Sequence, residues 1–303
     1  LVHPDYAIFV KYEFWGNLLQ ELHRRSIPTY LVSGIFRRRQ AFFKWYGSMF
    51  RPVLKCFTHL FVQDEESRSL LAGIGVENVT ICGDTRFDRV VAIQKQAKPF
   101  PWAAKFVEGA PFVLVAGSSW PKDEDIIIEH FNRHPEMKLI IAPHEIHESH
   151  VQQILSKLRR PSLRYSELRR QWESGALAEG ELPAAPVDCI IVDAIGFLSG
   201  IYRYGHAAYI GGGFGVGIHN TLEAAVYGIP VIFGPNHHAF REALGLIAAD
   251  GGFAIADAAS YDSIVSRFMS DADALRAAGK CAGDYVAQNS GATETIFSAV
   301  FGQ

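Results

Sequence analysis

The stretch Ile210-Gly-Gly-Gly-Phe-Gly-Val-Gly217, running on into Ile218-His-Asn-Thr-Leu-Glu-Ala-Ala225, decides how the rest of the chain is read. It follows an apolar run at 206–210 that reads as a buried strand and precedes a helical pattern near 220–227. Glycines at 211, 212, 213, 215 and 217 let a backbone approach a ligand closely. A helix start behind them offers unpaired N–H groups and a partial positive charge, so the segment reads as an anion site. Its spacing is not the GxGxxG dinucleotide fingerprint, which belongs after the first strand of a unit. No acidic residue stands about 20 positions beyond it at a strand end, so an NAD-dependent oxidoreductase is disfavoured.

The residues after the loop carry two readings each. Asn220-x-x-Glu223 has the form of a capping box, in which Glu223 bonds the start of the helix. A carboxylate one turn into this helix would equally accept hydrogen bonds from ribose hydroxyls, and the two roles are compatible. His219, beside the glycine loop, is a candidate donor to phosphate. Asn236, His237 and His238 follow the next strand and are read either as lining the same edge or as plain turn residues.

Outward from this point, short apolar runs alternate with helical stretches along the whole chain, the pattern of an α/β fold with parallel sheets. In the first third, strands are expected at 6–10, 28–32, 58–62 and 78–82, with helices near 14–25, 38–55 and 64–73. After a Pro- and Gly-punctuated stretch at 95–110, strands are expected at 112–116, 138–142, 188–192, 206–210, 230–233 and 252–255. The helices of this part fit near 121–133, 147–158, 194–203, 220–227, 238–248 and 261–288. The division predicts two Rossmann-like domains, 1–95 and 96–303, facing across a cleft, with the last helix free to cross back to the first. A strand that begins almost at Leu1 implies that the N-terminal domain is incomplete.

Ligands of such sheets bind beyond the carboxyl ends of the strands, so the other strand ends are further candidates. Ala116-Gly-Ser-Ser-Trp-Pro121 follows a strand, and Pro121 suits a first helical turn. Ser118, Ser119 and the backbone around Trp120 form a second candidate phosphate contact. On these residues alone an ordinary serine N-cap is favoured, because Asp123, Glu124 and Asp125 already complement the helix start. Pro143-His144-Glu145 ends another strand. His144-Glu145-Ile146-His147-Glu148 is not the HExxH zinc motif, since position 148 is glutamate. Arg86, in Gly83-Asp-Thr-Arg-Phe-Asp88, either reaches an anion in the cleft or pairs with Asp84 or Asp88.

Bulk composition narrows the class further. A net charge of −3 gives no general basis for binding nucleic acid. Cys56, Cys82, Cys189 and Cys281 stand far apart without a CxxC pair, which argues against a zinc ribbon or redox motif. One segment is locally basic: Arg37, Arg38, Arg39, Lys44, Arg51 and Lys55 fall within 36–55 with no acid, interleaved with Phe36, Phe42, Phe43, Trp45, Tyr46 and Phe50. As an amphipathic helix it suits an anionic membrane surface or a phosphorylated lipid.

Taken in order, these motifs resemble those of the Kdo (3-deoxy-manno-octulosonic acid) transferases. The resemblance rests on Glu13-Phe-Trp15, Leu31-Val-Ser-Gly-Ile-Phe-Arg37, Phe61-Val-Gln-Asp64, Gly83 to Asp88, Gly117-Ser-Ser-Trp-Pro121 and Gly217-Ile-His-Asn-Thr-Leu-Glu-Ala224. At the Arg86 position that family often carries lysine, and after the proline matched by Pro143 it often carries arginine where this chain has His144. The resemblance implies a GT-B-like fold. It implies inverting transfer of Kdo from CMP-Kdo to a lipid A precursor, without metal or other cofactor, at the cytoplasmic face of the Gram-negative inner membrane. The implied nucleotide site comprises Ser118, Ser119, Trp120, Pro143, His144, Gly213, Gly215, Gly217, His219, Asn220 and Glu223, with Glu13 and Arg86 in support. Arg37, Arg38, Arg39 and Lys44 would meet the acceptor or membrane. The family's general base is a glutamate in a glycine-rich motif upstream of the part matched here. The chain as given is therefore expected to bind donor but transfer poorly. Other readings are a UDP-sugar GT-B transferase or 2-epimerase, and a non-catalytic nucleotide-sugar-binding module.

Overall fold

The computed structural model describes residues 3–302. They fall into two compact units, Leu1–Arg89 with Asn289–Gln303, and Val90–Gln288. The division after Arg89 lies within a helix, ahead of the composition change that marks 95–110.

The first unit is built from β1 (Ala7–Val10), α1 (Gly16–Arg24), β2 (Thr29–Gly34), α2 (Arg51–Leu54), β3 (His59–Val62), α3 (Glu65–Ala72), β4 (Val79–Ile81) and the start of α4 (Thr85–Gln96). Its four strands pair in parallel in the order β1-β2-β3-β4. Leu19, Leu31, Leu54, Leu60 and Leu71 fill one core of this unit. Asp64 caps α3, its carboxylate accepting from the Ser67 N–H at 2.7 Å, as a β-region Asp before an apolar-periodic run should.

The basic-aromatic segment is not the helix expected over 38–55. Only short 3-10 turns at Ala41–Phe43 and Gly47–Met49 and the four residues of α2 are helical. Tertiary contacts override the helical period here. Phe42 packs edge-on to Phe14 at 5.2 Å and Phe43 to Phe36 at 6.1 Å. The chain folds so tightly that a Cβ on Gly47 would lie 2.5 Å from the carbonyl oxygens of Ala41 and Phe42. Arg51 Nε donates to the Phe42 carbonyl at 3.0 Å, which takes that acceptor out of any helical ladder.

The second unit contains α5 (Pro101–Val107), β5 (Phe112–Ser119), α6 (Pro121–Arg133), β6 (Met137–Pro143), α7 (Glu148–Lys157), β7 (Ser162–Arg164), α8 (Tyr165–Glu173) and β8 (Cys189–Ile191). It continues through α9 (Leu198–Ile201), β9 (Ala207–Ile210), α10 (Leu222–Ala225), β10 (Val231–Phe233), α11 (Arg241–Ala248), β11 (Gly252–Ala254), α12 (Ala258–Ser270) and α13 (Ala272–Asn289). The last helix, α14 (Ala292–Phe301), belongs to the first unit, where Ile296 and Val300 pack on Val32 and Phe61. Asp88 caps it, accepting from the Thr293 N–H and hydroxyl at 2.9 and 3.0 Å.

All strands of the second sheet are parallel, in the order β11-β10-β9-β5-β6-β8-β7. β5 is apolar and buried from Phe112 to Ala116, as a strand covered on both faces must be. From β5 the chain moves one way, to β6. It later returns beside β5 as β9 and moves the other way, to β10 and β11. The sheet therefore reverses its strand order between β5 and β9, and that is where an open α/β sheet places its ligand crevice.

Candidate functional site

The two glycine- and serine-rich turns singled out in the sequence leave the carboxyl ends of β5 and β9, the strands that flank this switch point. Asp123 joins them. Its carboxylate is fully buried and accepts three hydrogen bonds: from Trp120 N–H at 3.0 Å, from Gly212 N–H at 2.9 Å and from the Tyr209 hydroxyl at 2.7 Å. Burial and the neighbouring Asp123 push the Tyr209 phenol far above its usual range, so it stays a donor. The acids at the start of α6 thus do more than complement its dipole. Trp120, not a serine, stands at the N-cap, with Pro121 as the first helical residue.

Ser119 is also structural. It is fully buried, and its hydroxyl donates to Glu124 Oε1 at 3.0 Å. The other Glu124 oxygen lies 2.8 Å from His150 Nε2, while His150 Nδ1 lies 2.8 Å from the Glu145 carbonyl. A carbonyl can only accept, so Nδ1 carries a proton, and the Nε2–Glu124 contact requires one proton between the two. This chain fastens the loop after β6, which bears His144, to the turn after β5. Ser118 takes a left-handed backbone conformation, φ 51°, where the β5–β6 register shifts. Such strain in a non-glycine residue persists only where its surroundings enforce it.

Burial pushes the Glu124 carboxyl above its usual range. A raised acid binds more protons folded than unfolded. Its stabilising contribution is complete below the unfolded value of ~4.3 and is lost as pH rises through the folded value. Glutamine at 124 can accept from Ser119 and donate to a neutral His150. Glu124→Gln is therefore expected to change stability at neutral pH by less than ~1 kcal/mol and to flatten its slope as pH rises above the unfolded carboxylate value of ~4.3. Urea midpoints across that range test it, and an unchanged slope would remove the assignment.

Three aromatic side chains stand together over the switch point. His144 stacks on Trp120 at 4.7 Å and on His219 at 4.5 Å, and Trp120 Nε1 donates to His219 Nε2 at 3.3 Å. That bond makes Nε2 the lone-pair nitrogen, so the N–H of neutral His219 is on Nδ1. Burial first, then His144, holds His219 below the usual imidazole range. Beside the stack, Trp120, Pro121, Asp123, Gly212, Phe214 and Val216 line a pocket of about 400 Å³. That volume is within the range of small-molecule sites.

The glycine loop is shaped by backbone contacts. Gly212 and Gly217 have φ of 92° and 130°, a region that favours glycine. A Cβ on Gly213 would lie 2.5 Å from Gly234 Cα, so the loops after β9 and β10 touch backbone to backbone. Asn236 fixes the loop further, donating to the Gly215 carbonyl at 2.8 Å. The helix behind it is shorter than expected. α10 covers Leu222–Ala225 only, too short for the anion-attracting dipole anticipated from the sequence. The capping box does not form, since Thr221 and not Asn220 stands at the N-cap; instead the Asn220 side chain accepts from Leu222 N–H at 3.1 Å and donates to Glu223 Oε1 at 3.0 Å.

The second unit thus brings together Trp120, His144 and His219, with Ser119 beneath them as support; Ser118 and Pro143 lie at the ends of β5 and β6, Gly213, Gly215 and Gly217 in the loop after β9, and Asn220 and Glu223 at the start of α10. The sequence reading missed Asp123 as the tie between the turns and Phe214 and Val216 as pocket walls. The signal for Asp123 was Tyr209, a polar tip inside a buried strand that needs a partner.

In the first unit, Glu13 is exposed and accepts from the Trp15 indole. Arg86 follows the simpler of its two readings, with Nε 2.8 Å from Asp84. Asp84 also accepts from Lys11 at 3.5 Å. Arg38 and Arg39 are exposed, and Arg37 and Lys44 are half-buried. Trp45 and Met49 beside them are 93% and 79% exposed.

The fold matches solved structures along its whole length. A UDP-GlcNAc 2-epimerase from Neisseria meningitidis superposes on 99% of this chain and 76% of its own, with TM-score 0.67 at 14% identity. The C-terminal CMP-Kdo binding domain of WaaA from Acinetobacter baumannii covers 66% of this chain and 97% of its own, with TM-score 0.50 at 18% identity. Parallel α/β units of this kind define a GT-B-like fold.

Within that class, a family model described as 3-deoxy-D-manno-octulosonic-acid transferase (kdotransferase) matches residues 1–89. Proteins named 3-deoxy-D-manno-octulosonic acid transferase from Bordetella pertussis, Aquifex aeolicus and Chlamydophila psittaci are 25%, 27% and 26% identical over 98%, 84% and 78% of this chain. The chain spans 69%, 63% and 53% of their respective lengths. The chain is similar to the Kdo transferases, and the resemblance read from its motifs is borne out.

Proposed function

We propose that the chain serves a glycosyltransferase that moves Kdo from CMP-Kdo to a lipid A precursor, with inversion at the anomeric carbon. The observation that carries this reading is the convergence of the β5 and β9 turns, tied by Asp123, at the switch point of the second sheet. A nucleotide there would set its phosphate against the glycine loop and the Nδ1–H of His219. Trp120 and His144 would present ring faces to base or sugar, and Glu223 would accept from ribose hydroxyls.

The leaving group of such a transfer is a nucleoside monophosphate. Fixed N–H donors, the Nδ1–H of His219 among them, meet its developing charge, so this step needs no metal. Water exclusion would come from Phe214, Val216 and Trp120 around the pocket. In the first unit, Arg38 and Arg39 beside exposed Trp45 and Met49 suit the anionic, lipid-bearing acceptor and an anionic membrane surface. Among the described residues no helix is long and apolar enough to cross a membrane, which is compatible with peripheral attachment.

Site variants test the assignment. Trp120 supplies an intrinsic fluorescence signal for CMP binding. His219→Ala and Glu223→Ala are each expected to weaken CMP about tenfold, the loss of one good hydrogen bond to a charged or paired group. Full CMP affinity in both variants would move the donor site away from this loop.

A further inference from the structure

At the far end of α6 from the glycine loop lies a cluster that the transfer reading does not use. His130 lies in the last turn of α6 and His134 caps that helix four residues on, its ring stacked against His130. Asp262, on α12, meets them. One ligand atom from each of the three lies within 4.8 Å of the others. The imidazoles are stacked at 4.1 Å and 23°.

We propose that His130, His134 and Asp262 form a site for a divalent transition-metal ion of the zinc class, joining α6 to α12. Two imidazoles and one carboxylate are the donor set such ions prefer, and they leave a fourth position for water. Donors around a tetrahedral zinc ion sit roughly 3.3 Å apart, so the three groups need to close by up to about 1.5 Å, with the partly exposed His134 ring turning out of its stack on His130 so that both lone pairs meet the ion.

His130 is fully buried, which fixes its ring, with Nδ1 against Asp262. His134 and Asp262 are 25% and 33% exposed, so an ion can enter and the two outer ligands can adjust. Glu136 Oε1, 3.1 Å from His134 Nδ1, backs this imidazole with a second acid, a common support for a ligating histidine. The competing role is a simple ion pair, because Arg133 donates to Asp262 at 2.8 Å. Arg133 is half-exposed, and its long side chain can swing into solvent when a divalent ion takes over neutralising the carboxylate.

The inference is independent of the donor-site reading. The site ties the end of α6 whose other end carries Trp120 and Asp123, so occupancy would stiffen the helix beneath the glycine loop.

The test is a Co²⁺ titration of the EDTA-treated chain, followed by the visible ligand-field band of low-coordinate cobalt and by Tm. The expected result is one equivalent bound, displaced by Zn²⁺, with a rise in Tm. His134→Ala and Asp262→Asn, both at partly exposed positions that folding tolerates, should each weaken it at least tenfold. The chain has 12 histidines, so binding elsewhere is the outcome to separate. Absence of the band and of the Tm shift, or wild-type affinity in both variants, overturns the proposal.

Discussion

Asp123→Ala is expected to lower stability by about 3–5 kcal/mol, the largest single effect in the second unit. Alanine would leave the Tyr209 hydroxyl and the Gly212 N–H buried without an acceptor, and would free the Trp120 N–H at the start of α6. Each orphaned buried donor costs ~1–3 kcal/mol. Asparagine is a partial rescue: with its oxygen toward Trp120 and Gly212, its NH2 can donate to the Tyr209 hydroxyl, and only the Tyr209 proton loses its acceptor. Urea unfolding of wild type and both variants measures this. A loss below ~1 kcal/mol for alanine would mean that the loops hold their shape without the carboxylate.

Gly213→Ala is expected to have the next largest effect. Its Cβ would lie 2.5 Å from Gly234 Cα and 2.6 Å from Gly234 N. Both are backbone atoms at strand ends, so the clash cannot be relieved by a rotamer change. Overpacking of this kind costs ~1–3 kcal/mol, which corresponds to roughly 3–10 °C in Tm for a unit of this size. The displaced loop should also lose at least tenfold in CMP affinity. Gly215 is the internal control. It is exposed, and the nearest atom to an added Cβ is 3.7 Å away. Gly215→Ala should leave stability within ~0.5 kcal/mol. Equal Tm values for the two variants would contradict the close backbone packing described here.

The strands that carry the site were legible because burial on both faces leaves continuous apolar runs, as at 112–116 and 206–210. Glycines 212, 213 and 217 were legible because a left-handed turn or a backbone contact tolerates little else. Less could be read where tertiary contacts replace local signals. The helix expected over 38–55 gives way to turns because Phe42 and Phe43 are drawn into the core of the first unit. The helix expected over 261–288 is two, α12 and α13. Asp271 caps the second by accepting from Asp273 and Ala274 N–H at 3.0 and 2.9 Å. That cap was visible as an aspartate after Ser270, but a continuous apolar period masked it. Strand β7, at the sheet edge, is three residues long, and its Arg164 is held by Asp193 and Glu148. Nothing in its local sequence distinguishes it from a loop. α4 was missed because a change of composition near its end was read as a linker. Asp123 and Glu124 looked like ordinary helix-start acids. Their burial, and the histidine and tyrosine that face them, follow only from the packing of distant segments.

The base preference of the second unit tests the central claim most directly. Calorimetric titration of the chain with CMP, UMP, UDP and NAD should show selective binding of CMP, abolished or strongly weakened by Gly213→Ala. Preferential binding of UDP would contradict the Kdo transferase reading and assign the site to a UDP-sugar enzyme of the same fold.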